Sequence, residues 1–349
     1  MRVAVYTICK NEEKFVERWA QSTIDADVRI IADTGSTDQT VQKARDAGIT
    51  VVYAHVHPFR FDDARNAALA AIPLDVDYCI SLDMDETLSP GWREELRKAY
   101  DNSANRVMHT LATNFIDNDP SMKLTVSRIH SRSGWRWKYP AHEALYPYGI
   151  VENTVHSDIT IEHHPDETKT RGQYLELLEI AVQEGPTDSR PLYYLGREYI
   201  YRNRNIDAVK TFNRYLEVSQ WPAERCSAYR FMATCDVEQT ETLLLKAIDQ
   251  HPCRESLLDL AKFFKDKDWN QCFRLASRAI LIQDKPTEWH WETWAWGAEP
   301  YDLAALSSHF LGEHKNAIEY GLMALELEPE NKRLKTNLNY YREKMNGNI

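Results

Sequence analysis

A change of hydrophobic periodicity near residues 165–170 constrains this chain more than any other feature. Before it, short apolar runs (Val3–Ile8, Val28–Ala32, Thr50–Ala54 and Tyr78–Leu82) alternate with helical stretches (Glu12–Ser22, Asp38–Ala47 and Asp62–Ala71). Strands interleaved with helices predict βαβ units and a parallel sheet. Ser36 or Thr37 is placed to cap the second helix, with Asp38 at its positive end. From Arg106 to Ile161 the text turns strand-like, aromatic and Pro-containing, which predicts additional mixed or antiparallel strands. After Thr170 the strand pattern stops, and Arg171–Glu184 begins a series of helices. The expectation is a Rossmann-like α/β domain with a mixed sheet over residues 1–168 and an all-α repeat domain over 169–349.

Within the second part, Leu195-Gly196, Tyr199, Ala208, Phe212 and Tyr215 place small and large residues at offsets that resemble the tetratricopeptide repeat, a helix-turn-helix unit of about 34 residues. Comparable small positions fall at Ala208, Thr240, Cys272 and Ala317. An insertion, Trp289-His-Trp-Glu-Thr-Trp-Ala-Trp296, lengthens the last step. Four such units predict a short solenoid whose concave face is a binding surface. The polar segment Lys332–Lys344 suits its closing cap. The Trp cluster reads as packing rather than as a sugar or peptide groove. The repeats are equally able to form a homodimer interface.

Composition narrows the function. The chain has 349 residues, with 42 Lys+Arg against 53 Asp+Glu and a net charge of −11. Both halves are acidic, so no broad basic footprint for a phosphate backbone is present and nucleic acid is the least favoured partner. Six scattered cysteines without a C-x-x-C pair read as reduced thiols. The opening Met-Arg-Val-Ala-Val-Tyr runs straight into a strand, which predicts no signal peptide. No apolar run approaches the ~20 residues that span a bilayer. The expected location is the cytoplasm.

Two acidic motifs stand at predicted strand ends. The first is Asp33-Thr-Gly-Ser36-Thr-Asp38. Ligands of open α/β sheets bind outside the carboxyl ends of the strands. A carboxylate there can accept hydrogen bonds from a base or ribose, while the following helix end attracts phosphate. An ordinary capped turn is the structural alternative. The second is Ser81-Leu-Asp83-Met-Asp85-Glu86. Carboxylates separated by one residue suit a hard cation bound to polyphosphate, Mg²⁺ or Mn²⁺. An isolated D-x-D is otherwise a solvated acidic loop.

With Cys9-Lys-Asn11-Glu12-Glu13 after the first strand and Ala64-Arg65-Asn66 between them, these motifs follow one another as in family 2 glycosyltransferases of GT-A fold, which residues 1–165 resemble. Within that family the chain is similar to the branch that carries tetratricopeptide repeats after the catalytic domain, which includes bacteriocin S-glycosyltransferases. The resemblance implies metal-dependent, inverting transfer from a nucleotide-sugar, with a UDP-sugar first in expectation and Mn²⁺ or Mg²⁺ as cofactor. It implies Asp33 at the base, Asp83 near ribose or metal, and Asp85 as direct metal ligand. Arg65 and Asn66 would help hold the nucleotide-sugar, with Thr7, Asn11, Glu12 and Ser36 in the same binding set. For Arg65 the alternative is a helix-surface salt bridge to Asp62, worth little.

Inversion needs a base that takes the acceptor proton as the nucleophile attacks. In Trp135-Arg-Trp137-Lys-Tyr-Pro140-Ala-His142-Glu143-Ala-Leu145, Glu143 stands first for that role and His142 second, against a structural His-Glu pair in a turn. In Ile161-Glu-His163-His164-Pro165…Lys169-Thr-Arg171, the resemblance implies that His163 completes the metal site and that Lys169 and Arg171 close over the diphosphate. Pro165 departs from the pattern, since Gly is frequent there in similar sequences, and the alternative is a pair of solvent-facing histidines. A protein, peptide or glycan acceptor is expected, with a modified nucleic-acid base ranking below them. The competing class is a catalytically inactive transferase-fold scaffold that docks protein partners through its repeats.

Overall fold

The structure, a computed structural model, describes residues 1–99, 104–116, 119–166, 172, 174–287 and 291–347. The chain divides into two compact units, Met1–Pro186 and Thr187–Ile349.

The first unit opens with the alternation expected from the sequence: β1 (Val3–Cys9), α1 (Val16–Ser22), β2 (Val28–Asp33), α2 (Thr40–Asp46), β3 (Thr50–Tyr53), α3 (Phe61–Ala70) and β4 (Tyr78–Ser81). It continues through β5 (Glu86–Leu88), α4 (Trp92–Ala99), β6 (Arg106–Ile116), β7 (Asp119–Ser131), β8 (Trp135–Lys138), β9 (Ala144–Pro147), β10 (Thr154–His163) and α5 (Tyr174–Glu184). One sheet takes the order β3-β2-β1-β4-β7-β6-β10-β5, and β8 and β9 form a separate antiparallel pair. The pairs β1–β2, β1–β4 and β2–β3 are parallel, whereas β7 runs antiparallel to both β4 and β6. A mixed sheet of this kind is of GT-A type.

Period-2 alternation explains why β1 can be central. Val3 and Val5 enter the apolar core on one face of the sheet, and Ala4 and Tyr6 enter that on the other. A strand buried on both faces belongs in the middle of a parallel sheet. The hairpin β8–β9 adds Trp135, Trp137 and Leu145 to the second core.

One local expectation is corrected. Neither Ser36 nor Thr37 caps α2, whose N-cap position is Gln39 without a side-chain bond. The Ser36 hydroxyl instead accepts from the Asn11 N–H at 2.9 Å, and the Thr37 N–H donates to Asn11 Oδ1 at 2.8 Å. Asp38 supplies the acceptor near the helix start, taking the Thr40 N–H at 3.0 Å.

The second unit is all-α among the described residues. Helix pairs follow one another: α6 (Ser189–Tyr201) with α7 (Asn205–Val218), α8 (Pro222–Cys235) with α9 (Thr240–Gln250), α10 (Arg254–Phe264) with α11 (Trp269–Ile280), and α12 (Glu299–Phe310) with α13 (His314–Leu327). Helix α14 (Lys332–Met345) buries Leu334, Leu338 and Tyr341 and turns its charged residues outward, as a cap requires. The fourth residues of α7, α11 and α13 are the fully buried Ala208, Cys272 and Ala317. In α9 that place is held by buried Leu243, whereas Thr240 opens the helix, so the repeat register read at Thr240 is three residues early. The first pair is close because Gly196 faces Phe212: a Cβ there would meet the ring at 2.8 Å. Of the Trp insertion, residue 289 lies outside the described residues. Trp291 is buried, and Trp296 donates to Glu255 Oε1 at 3.0 Å beneath the Arg254 guanidinium. All six cysteines are free thiols.

Candidate active site

The carboxyl ends of β1, β2 and β4 bring three loops together, and β1 is where the connections change direction in the order β2-β1-β4. Such a switch point opens a crevice above the sheet. The β2 loop is shaped by its own aspartate. Asp33, 3% exposed, accepts N–H bonds from Gly35 and Ser36 at 3.1 Å. Gly35 supports this turn at φ +110°, a backbone conformation that glycine adopts without strain. The β1 loop locks onto it through Asn11, itself at φ +55°, while the Glu12 N–H donates to Thr40 Oγ1 at 2.7 Å. Thr7 is fully buried within β1, its hydroxyl on the Ile8 carbonyl at 3.1 Å.

Helix α3 supplies the central cation. Asp62, Arg65 and Leu69 recur at helical spacing and are buried on one face. From that face the Arg65 guanidinium donates from Nε to Glu143 Oε1 at 2.6 Å, from a terminal nitrogen to Asp83 Oδ1 at 2.6 Å, and from the other to Ser81 Oγ at 3.1 Å. Its centre lies 5.0 Å from the Trp137 ring. Asp62 pairs with Arg60 instead, which also meets Glu184 of α5. The surface-bridge alternative for Arg65 is thereby replaced by a buried fork.

Asp83 is held from two sides. Arg128 on β7 reaches its Oδ2 at 3.2 Å and binds Glu86 at 2.6 Å. Burial alone would raise the Asp83 carboxyl, but Arg65 and Arg128 outweigh it and hold the group well below the usual carboxylate range. Glu86, 1% exposed, goes the other way, because burial outweighs Arg128 and pushes it up. Arg128 is the functional-looking residue that sequence reasoning missed. Its signal is a lone Arg inside the apolar-flanked strand text Leu-Thr-Val-Ser-Arg-Ile-His.

The hairpin β8–β9 is anchored under this cluster. Asn66 grips the Trp137 backbone at both ends, its Nδ2 donating to the carbonyl at 2.9 Å and its Oδ1 accepting the N–H at 2.9 Å. The Trp137 indole N–H donates to the Tyr6 hydroxyl at 2.8 Å. Tyr6 lies 2.9 Å from His130 Nε2, and His130 Nδ1 lies 2.8 Å from the Ser131 carbonyl. A tautomer with its proton on Nδ1 satisfies the whole chain. Burial drives His130 down to about 3, so it stays neutral. Above this support the hairpin turn presents His142, at φ +51° with its ring 5.5 Å from Tyr174, and Glu143.

Asp85 faces β10. His163 Nε2 is 3.5 Å from Asp85 Oδ2, and its Nδ1 is 3.3 Å from Thr113 Oγ1. The bond to Asp85 raises the His163 pKa above its ordinary value. The structure therefore brings Arg65, Asp83 and Glu143 into direct contact and pairs Asp85 with His163. Asn11 of the β1 loop is hydrogen-bonded to the β2 loop that Asp33 shapes and Ser36 belongs to. Lys169 and Arg171 lie outside the described residues. Among the described residues no helix is long and apolar enough to cross a membrane, and no group of three or more His, Cys, Asp or Glu forms a ready metal cage.

The sheet is of GT-A type, and charged groups converge at its strand ends. Residues 4–152 match the model of Glycosyl transferase family 2. No curated protein matches the chain. Among solved structures, Pseudomonas aeruginosa pilF is 13% identical with TM-score 0.38, covering 48% of this chain and 72% of that one. A thermophilic tetratricopeptide protein of Thermus thermophilus is 18% identical with TM-score 0.32, covering 49% and 91%. Glucosyl-3-phosphoglycerate synthase of Mycobacterium tuberculosis, solved with Mn²⁺, UDP and glucosyl-3-phosphoglycerate, is 25% identical with TM-score 0.28, covering 32% of this chain and 44% of that one. At these TM-scores the likenesses carry no inference about site or activity.

Proposed function

We propose that the chain is a divalent-cation-dependent, inverting glycosyltransferase that moves a sugar from a nucleotide-sugar, first of all a UDP-sugar, to a polypeptide or glycan acceptor. The observation that carries this reading is the Arg65 fork, which ties the D-x-D loop to the hairpin turn that presents Glu143.

Glu143 is 13% exposed, and only Oε1 is engaged by Arg65, which leaves Oε2 for an acceptor proton. A general base needs that access and a fixed position. Trp137 and Asn66 fix it from below. His142, beside it, is the second candidate. Asp33 at the end of β2 and Asn11, Glu12 and Ser36 in the loops would frame the nucleotide, with Thr7 inside β1 and Lys169 and Arg171 proposed at the diphosphate.

The donor set fits a hard cation in part. Asp85 and His163 offer an oxygen and an imidazole nitrogen in one place, as Mn²⁺ or Mg²⁺ chemistry allows. Asp83 has both oxygens on guanidinium groups and serves better as the electrostatic hinge between loop and base. When bound, the ion would offset charge on the departing diphosphate. Asp83 would keep Arg65 oriented, and Arg65 would keep Glu143 aimed at the acceptor.

The test is a thermal-shift screen of UDP-, GDP- and TDP-sugars with and without Mn²⁺. A ligand at about 100 Kd stabilises by about 2.7 kcal/mol. The proposal expects a metal-dependent rise in Tm with at least one UDP-sugar. No rise with any nucleotide-sugar would overturn it.

A further inference from the structure

The hairpin that carries Glu143 has a second face. In β8 the residues alternate: Trp135 and Trp137 are buried, whereas Arg136 and Lys138 point to solvent. Arg136 stands opposite Tyr146 in the antiparallel register, and Lys138 Nζ lies 5.5 Å from the Tyr146 ring. The chain then folds back. Tyr148 N–H donates to the Gly134 carbonyl at 2.8 Å, and Ile150 packs on Gly134, where a Cβ would meet its side chain at 2.6 Å. Within six residues of this stretch Tyr146, Tyr148, Ile150 and Val151 are all exposed, Tyr148 72% and Val151 89%. The nearby acidic Glu152 is engaged by Arg106 at 3.3 Å.

Two exposed cations thus lie in the same hairpin segment as exposed aromatic and aliphatic side chains. Tyr and Arg are the residues that polypeptide interfaces favour. Large exposed apolar side chains gathered in one place mark an interaction site rather than ordinary surface. We propose that the outer face of β8–β9 docks the acceptor, and that the acceptor is a polypeptide segment with an acidic residue next to apolar ones. The proposal rests on the transferase reading above. A uniformly anionic polymer, glycan or nucleic acid, would meet the two cations but leave Tyr148, Ile150 and Val151 without an apolar partner. A segment with one or two carboxylates meets Arg136 and Lys138 and gives its apolar side chains to Tyr148, Ile150 and Val151. Seated there, it lies along the same hairpin whose turn presents Glu143.

Fluorescence anisotropy of the full chain tests this with short labelled peptides. One peptide carries Asp-Glu beside Leu-Val, and its counterpart carries Lys-Lys at the acidic positions. The acidic peptide is expected to bind at least about tenfold tighter. Arg136→Glu with Lys138→Glu is expected to reverse that order, and Tyr148→Ala with Val151→Ser to weaken the acidic peptide while preserving the order. Equal binding of the two peptides, or an order unmoved by charge reversal, would overturn the proposal. Competition by oligoguluronate at lower concentration than the acidic peptide would overturn it in favour of an anionic glycan. UDP-sugar turnover by the unaltered chain, measured in the same preparation, separates the two readings. Turnover without peptide discrimination removes only the acceptor proposal, and its absence removes the transferase reading.

Discussion

Arg65 is buried with two carboxylates on its fork, and its removal leaves both without their counter-charge. Breaking a buried pair from one side costs about 3–5 kcal/mol. Arg65→Ala is therefore expected to lower Tm and abolish turnover. Arg65→Lys is expected to recover part of the stability and little activity, because an ammonium cannot span Asp83 and Glu143 together. Equal activity of Arg65→Lys and the unaltered chain would contradict the fork's role. Glu143→Gln keeps the size of the side chain and removes the base. Its turnover is expected to fall by about 10²–10⁴-fold with nucleotide-sugar binding unchanged. At this scale the sequence showed Asp33, Arg65, Asp83 and Asp85 as members of ordered motifs. It did not show which partner each takes, because partnership here joins α3, β4, β7 and a hairpin turn far apart in the chain. Arg128 escaped for the same reason. A single Arg in a strand carries no spacing that announces two carboxylates on neighbouring elements.

At the scale of elements, β6 carries one buried neutral histidine, His109, and β7 another, His130, which supports the hairpin beneath the site. Burial lowers both His109 and His130 to about 3. The unfolded chain takes up these protons near the ordinary histidine value of about 6.5, and the folded chain does not until about 3. The folded state therefore loses stability as pH falls from about 6.5 to 3, by about 1.4 kcal/mol per pH unit for each group. Urea denaturation midpoints measured at intervals across that range are expected to fall with pH. His130→Gln, which can still bond Tyr6, is expected to flatten the slope, and an unchanged slope would contradict the assignment. In the helical unit, Gly196→Ala sets a Cβ against the fully buried Phe212 ring. Overpacking costs about 1–3 kcal/mol, against about 1 kcal/mol gained in helix propensity. A net drop in Tm is expected, read by circular dichroism at the helix band. Strands and helices were legible here from period 2 against period 3.6. The Thr240 register was misread because α8–α9 puts Leu243 where the other pairs use Ala or Cys, so size alone pointed to the wrong residue. The helix cap was misread because Ser36 and Thr37 are spent on Asn11, a contact made only once β1 and β2 lie side by side.

For the whole molecule, the mixed α/β sheet and the helical pairs are each legible as a class, and the proposed chemistry rests in the first. The central claim is that the cleft above β1, β2 and β4 turns over a nucleotide-sugar with the help of a divalent ion held at Asp85 and His163. The direct measurement is UDP release from UDP-sugars by the purified full chain with Mn²⁺, repeated with EDTA and with Asp85→Ala. The account predicts release by the unaltered chain that EDTA and Asp85→Ala both abolish. Release that persists undiminished in EDTA, or no release from any UDP-sugar, would contradict it.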